Sequence, residues 1–107
     1  AYNLNCAFIP FRKPDKLPGD TFQVSYTLEY GSTEMHVHKD ALDGHKNLLI
    51  IDDLLATGGT AIAAVDLVNM FENKNIVGAG FIINLPELKG DEKLINRGIK
   101  INSLMEF

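Results

Sequence analysis

Two largely apolar runs lie in the middle of the chain, separated by a segment with apolar residues at helical spacing. The first run, residues 48–51, is too short for a helix and does not alternate, so it predicts a parallel strand covered on both faces. Residues 60–71 predict a mostly buried helix, and residues 76–85 predict a second buried strand. This order of strand, helix and strand is typical of a right-handed βαβ crossover and indicates an α/β fold with a parallel sheet.

Before this unit, apolar and polar residues alternate. The alternation over residues 22–30 and 33–38 predicts two antiparallel strands of a hairpin. Gly31-Ser32 lies between them and suits a type II′ turn. One face of this hairpin is expected to be exposed to solvent.

The two ends of the chain give shorter patterns. Residues 5–11 predict a brief strand, and residues 12–20, rich in Pro, Gly and charge, predict a loop. Residues 86–96 predict a short helix that stops at Arg97-Gly98, and residues 99–104 predict a last strand. We therefore expect one domain without a linker.

Composition narrows the range of partners. The chain has 107 residues, and its 14 acidic and 10 basic side chains give a formal net charge of −4. Nucleic-acid binding over a broad surface requires a basic face, so this balance argues against it. The lone Cys6 excludes an internal disulfide, and no apolar run reaches the ~18–20 residues of a membrane span. These features predict a cytosolic domain without nucleic-acid or membrane partners.

The candidate chemistry begins with two adjacent glycines before the predicted helix. Gly58 and Gly59 allow positive φ and close backbone approach, so that successive N–H groups can point into one concavity. The start of the helix favours an anion at the same place, and Thr57 and Thr60 add hydroxyl donors. The pattern therefore predicts a phosphate site.

Asp52 and Asp53 follow the first buried run, where ligands bind in open α/β sheets. Carboxylates repel a phosphate but accept hydrogen bonds from vicinal hydroxyls. The two aspartates and the predicted phosphate site together therefore suit a ribose 5-phosphate. The chain has neither G-x-G-x-x-G nor G-x-x-x-x-G-K-[ST], which argues against a dinucleotide fold and a P-loop. For the two carboxylates alone, a solvated strand-to-helix connection is an equal alternative.

Residues 50–60, Ile-Ile-Asp-Asp-Leu-Leu-Ala-Thr-Gly-Gly-Thr, resemble the phosphoribosyl pyrophosphate signature of type I phosphoribosyltransferases. Residues 9–18, 28–31 and 85–90 are similar to further segments of the branch of that family that uses adenine. The resemblance covers nearly the whole chain. It implies an α/β type I phosphoribosyltransferase fold: a parallel sheet with flanking helices, an antiparallel flap hairpin over residues 12–38 and a donor-binding core over residues 48–85.

The resemblance also implies a reaction. The phosphoribosyl group of 5-phosphoribosyl 1-pyrophosphate would pass to adenine, giving AMP and pyrophosphate in purine salvage. Asp52 and Asp53 would hold the ribose hydroxyls, and Mg²⁺ would sit mainly on ribose and pyrophosphate oxygens, without a direct protein ligand. Homodimers are common in the family. The residues implied to hold the 5-phosphate are Ala56, Thr57, Gly58, Gly59 and Thr60.

The resemblance gives the flap its functional residues. Arg12, Lys13 and Lys16 form a local cationic cluster, which on its own is typical of a solvated loop. On a closing flap they would stabilise the charge that develops on the leaving pyrophosphate. Glu29 would act as acid or base near N7 of the purine, and Tyr30 would lie beside the ligand or in the core. Arg12, Lys13 and Glu29 are the predicted catalytic residues.

Several alternatives remain open from the sequence. Members of the family are longer, and the part that reads the base does not precede Ala1, so a fragment is the expected reading and the fragment alone is expected to be inactive. A donor-binding regulator without catalysis is a second possibility. A receiver-type signalling domain would need an acidic phosphoacceptor where this chain has Asn84 and Leu85. His36 and His38 share a strand face, which is more typical of surface residues than of a metal site.

Overall fold

The computed structural model describes residue 9, residues 21–28 and residues 31–107. The strand predicted over residues 5–11 and the loop predicted over residues 12–20 fall almost entirely outside these residues. In the described part of the chain no helix is long and apolar enough to cross a membrane. The elements in chain order are strands β1 (Thr21–Leu28), β2 (Gly31–His38) and β3 (Asn47–Leu55), helix α1 (Gly59–Asn69), strand β4 (Asn75–Asn84), a 3₁₀ turn (Pro86–Leu88), helix α2 (Gly90–Ile95) and strand β5 (Ile101–Glu106).

The strands form two sheets. β3, β4 and β5 form a parallel sheet in that order, with α1 connecting the first pair and α2 the second. β1 and β2 form a separate antiparallel hairpin. The predicted α/β class, the parallel βαβ unit and the hairpin are therefore confirmed.

The turn of the hairpin differs from the prediction. Gly31 and Ser32 are not turn residues: they begin β2, and they pair with Leu28 and Thr27. A turn at Gly31 would leave backbone N–H and C=O groups without interstrand hydrogen bonds. Continued strand pairing satisfies these groups and therefore favours the longer hairpin.

The first strand of the parallel sheet is also longer than predicted. β3 runs to Leu55, so Asp52 and Asp53 lie within the strand instead of following it. Its pairing with β4 continues through Asp52 with Phe81 and Leu55 with Asn84. Leu55 is buried, so the packing at the end of the strand outweighs the polarity of the two carboxylates before it.

The two faces of the parallel sheet differ. Helices α1 and α2 both pack on the face that carries Ala79 and Phe81, where Ala61, Val65 and Leu94 complete one core cluster. We call this the covered face. A second cluster joins α1 to the hairpin through Met35, Val37 and Leu67.

The opposite face, which we call the open face, is apolar and exposed. Its large side chains come from all three strands, with exposed fractions of 54% for Leu49, 68% for Ile51, 47% for Ile82 and 81% for Leu104. The prediction that the strands are covered on both faces is therefore wrong. The two crossovers step in the same direction along the sheet, so connections of one hand place both helices on the same side.

The segment after β4 is divided in two. The single helix predicted over residues 86–96 is a 3₁₀ turn followed by α2, and Lys89 between them has a φ of 62°. This left-handed residue interrupts helical hydrogen bonding. The predicted stop at Gly98 is confirmed, since Gly98 follows α2 with a φ of 78°.

Candidate functional site

The candidate site lies at the carboxyl edge of the parallel sheet, where β3 leads into α1. The connection is short: residues 56–58, which we call the β3–α1 loop, separate the strand from the helix. Gly58 caps α1 with a φ of 89°, and no side chain caps the helix. The first intrahelical bond runs from the Ile62 N–H to the Gly58 carbonyl, at 2.8 Å. The N–H groups of the first turn before Ile62 are therefore available to an anion.

The predicted phosphate residues meet at this edge. The structure places Ala56, Thr57 and Gly58 in the loop and Gly59 and Thr60 in the first turn of α1. Thr57 is exposed and Thr60 is half-buried, so neither residue is fully buried. The structure therefore brings the five residues to one edge of the sheet, and their binding of a phosphate stays a prediction.

The two predicted ribose residues lie one residue apart on β3. Strand alternation places Asp52 with half-buried Ile50 and Asp53 with exposed Ile51. The Asp53 N–H donates to the Asp52 Oδ1 at 2.8 Å, which holds one carboxylate close to the backbone of the other residue. Both carboxylates precede the loop by a few residues along the chain, and their role toward a ribose stays a prediction.

The flap residues lie outside the described part of the chain. Arg12, Lys13, Lys16, Glu29 and Tyr30 all do so, and their predicted roles stay predictions. His36 and Glu34 are described, and the His36 Nε2 lies 2.9 Å from the Glu34 Oε2. Among the described residues no three His, Cys, Asp or Glu side chains gather into a group able to hold a metal ion.

The structure adds residues that the sequence pattern did not single out. Gly90 and Lys93 of α2 donate hydrogen bonds to the β3–α1 loop. Asn84, at the end of β4, is buried; its Nδ2 lies 3.3 Å from the Asp91 Oδ2, and its Oδ1 has no partner among the described residues. The sequence indicates that residues 85–90 are similar to the family. Only the folded structure shows that this region contacts the β3–α1 loop.

The chain is similar to known proteins in sequence and in fold. No protein-family model matches the chain. Adenine phosphoribosyltransferase of Crocosphaera subtropica is 50% identical over all 107 residues, which correspond to 60% of its length. The crystal structure of adenine phosphoribosyltransferase from Thermoanaerobacter pseudethanolicus superposes with a TM-score of 0.88 and 42% identity, over 99% of this chain and 60% of that one. That of Saccharomyces cerevisiae gives 0.87 and 39%, over 97% and 57%.

The match to these structures, together with the parallel sheet and the separate hairpin, shows a type I phosphoribosyltransferase fold. The chain is similar in sequence to adenine phosphoribosyltransferases along its entire length. It spans about three fifths of the length of the curated relatives it matches.

Proposed function

We propose that the chain forms the donor-binding part of an adenine phosphoribosyltransferase, which transfers the phosphoribosyl group from 5-phosphoribosyl 1-pyrophosphate to adenine and releases pyrophosphate. The observation that carries the proposal is the uncapped start of α1, preceded by Asp52 and Asp53. Backbone N–H groups of residues 56–60 hold the 5-phosphate, because the helix start supplies donors and a favourable dipole. The two carboxylates accept hydrogen bonds from the ribose hydroxyls.

The ligands of related proteins support this proposal. The Saccharomyces cerevisiae structure is a complex with an imino-altritol bisphosphate and adenine. The enzyme from Trypanosoma brucei, which has a TM-score of 0.85 and 28% identity, is a complex with AMP, pyrophosphate and ribose 5-phosphate. The relatives named here are enzymes by name, so the alternative of a non-catalytic regulator gains no support from them.

The flap and a metal complete the proposed mechanism. Arg12, Lys13 and Lys16 stabilise the leaving pyrophosphate, and Glu29 exchanges a proton with the purine, with Tyr30 beside it. Mg²⁺ neutralises charge on the pyrophosphate when bound. The metal would be held mainly by ribose and pyrophosphate oxygens, and Asp52 and Asp53 would supply negative charge near it without being direct ligands.

The proposal includes an assembly and a location. We propose a homodimer. The exposed apolar side chains of the open face and the exposed ring of Phe107 support it, because exposed apolar patches favour association. A cytosolic location stays a prediction from the single cysteine. Transfer activity is not expected from the 107 residues alone, since they match three fifths of the relatives' length.

Calorimetric titration with 5-phosphoribosyl 1-pyrophosphate and Mg²⁺ tests the donor site. The 107-residue chain is expected to bind the donor, and Asp53→Asn is expected to weaken that binding about tenfold or more, because it removes a charged acceptor. Asp43→Asn is the matched control, since Asp43 is also exposed but lies in the turn before β3, at the other end of the strand. No donor binding by the unchanged chain, or equal losses in both variants, would contradict the proposal.

A chimera tests the reaction. The 107 residues replace the matched part of the Crocosphaera subtropica relative, and pyrophosphate release is measured with donor, Mg²⁺ and adenine. Release by the chimera is the expected result. A folded chimera that binds the donor and releases no pyrophosphate would support the regulator instead.

A further inference from the structure

Helix α2 contacts the β3–α1 loop through two hydrogen bonds to neighbouring carbonyls. The Gly90 N–H donates to the Ala56 carbonyl at 3.1 Å, and the Lys93 Nζ donates to the Thr57 carbonyl at 2.8 Å. Both acceptors belong to the segment that precedes the uncapped start of α1. The loop is therefore held from the side of α2.

These two bonds orient the rest of the loop. All described peptide bonds are trans, and in a trans peptide the carbonyl and the following N–H point in opposite directions. Because the carbonyls of Ala56 and Thr57 point at α2, the N–H groups of Thr57 and Gly58 point away from it. A loop whose carbonyls are occupied presents N–H groups to its other side, which is the arrangement that an anion requires.

The absence of a side chain at Gly90 permits this contact. A Cβ there would clash with the Ala56 carbonyl oxygen and would lie 2.8 Å from the Gly58 nitrogen. A Cβ at Gly58 would lie 3.0 Å from the Gly90 Cα. The two glycines let the backbone of α2 and the backbone of the loop touch directly.

We propose that Gly90 and Lys93 are positioning residues for the donor's phosphate, which hold the β3–α1 loop in its anion-binding shape from the side of α2. Neither residue needs to touch the reacting atoms. Gly90 sets the distance between the two backbones, and Lys93 fixes the Thr57 carbonyl from the side of α2. This inference rests on the proposed donor site and extends it to a helix with no assigned role.

The Lys93 contact is tested by binding of ribose 5-phosphate to the full 107-residue chain. Lys93→Met keeps the aliphatic stem and removes the donor, so the dissociation constant is expected to rise about five- to thirtyfold, while Lys93→Arg restores at least part of the affinity. Lys100→Met is the matched control: it removes the same charge from an exposed lysine at the start of β5, away from the loop, and is expected to change affinity less than about twofold.

Two further readouts separate positioning from general stability. The melting temperature of Lys93→Met is expected to stay near that of the unchanged chain, whereas the amide resonances of residues 57–59 shift in the absence of ligand. Gly90→Ala is expected to weaken ribose 5-phosphate binding more than Lys93→Met, because its Cβ displaces the loop. If this variant does not fold, the Lys93 series alone decides.

The outcomes distinguish the inference from the function on which it rests. Binding by the unchanged chain together with unchanged affinity and unchanged loop resonances in Lys93→Met would overturn the positioning role and leave the donor site intact. Absence of ribose 5-phosphate binding by the unchanged chain would overturn both. Equal losses in Lys93→Met and Lys100→Met would reduce the effect to net charge and would also overturn the positioning role.

Discussion

The two faces of the parallel sheet are built from the same strands and have different surroundings. On the covered face, Ala79 and Phe81 are 1% and 4% exposed under helices α1 and α2. On the open face, Ile51 and Leu104 are 68% and 81% exposed, and the Ile51 Cδ1 comes within 3.0 Å of where a Cβ of Gly80 would lie. Both faces carry large apolar side chains, so burial here is decided by where the helices pack.

This difference indicates that the covered face contributes most of the stability of the parallel sheet. Burial of apolar surface stabilises by roughly 25 cal/mol per Å² removed from water, and only the covered face gains it fully. The candidate site benefits, because α1 begins at the site and its buried Ala61 and Val65 belong to the core cluster of the covered face. We therefore expect changes to the two faces to have unequal costs.

The largest difference is expected between two phenylalanines. Phe81→Ala removes a buried ring from the covered face and is expected to lower the free energy of unfolding by about 3–5 kcal/mol, a large part of the ~5–15 kcal/mol typical of a domain. Phe107→Ala removes an equal ring that is 73% exposed, and its expected cost is below about 0.5 kcal/mol. Urea unfolding followed by circular dichroism measures both. Phe107 follows β5 and lies under neither helix, so similar costs would show that packing under α1 and α2 does not decide what a ring contributes.

A smaller difference is expected between two neighbouring isoleucines of β3. Ile50 is half-buried and packs against both core clusters, whereas Ile51 points to the open face. Ile50→Ala is expected to cost about 1–3 kcal/mol, since part of its side chain leaves a packed environment. Ile51→Ala is expected to cost less than about 0.5 kcal/mol. The same unfolding measurement applies, and a cost for Ile51→Ala equal to that of Ile50→Ala would show that the open face is covered in solution.

The sequence predicts the elements of this sheet better than their surroundings. The run at residues 48–51, the helix and the glycine pair are local patterns, and each predicts an element or a turn without knowledge of its neighbours. Which face stays open is not local, because it depends on the side to which two separate crossovers carry their helices. For the same reason β3 extends through Asp52 and Asp53: its length is set by pairing with β4.

The candidate site divides in the same way. Asp52, Asp53 and residues 56–60 lie within one short segment, so their pattern can be read from the sequence. Lys93 and Thr57 are 36 positions apart, and no spacing rule connects them. The contact exists because α2 returns over the end of β3, which only the folded chain shows. The sequence therefore predicts the residues of the β3–α1 loop but not its contact with α2.

The smallest expected effect on stability concerns the open face itself. Leu104→Ser is expected to change the free energy of unfolding by less than about 0.5 kcal/mol, because the side chain is 81% exposed. Contiguous exposed apolar side chains promote association, so the same variant is expected to reduce concentration-dependent self-association in sedimentation experiments. Asn102→Ser is the matched control, since Asn102 lies two residues earlier on the same face and is already polar. If the two variants sediment alike, the open face is not the surface through which copies of the chain associate, and the contrast between the faces concerns folding alone.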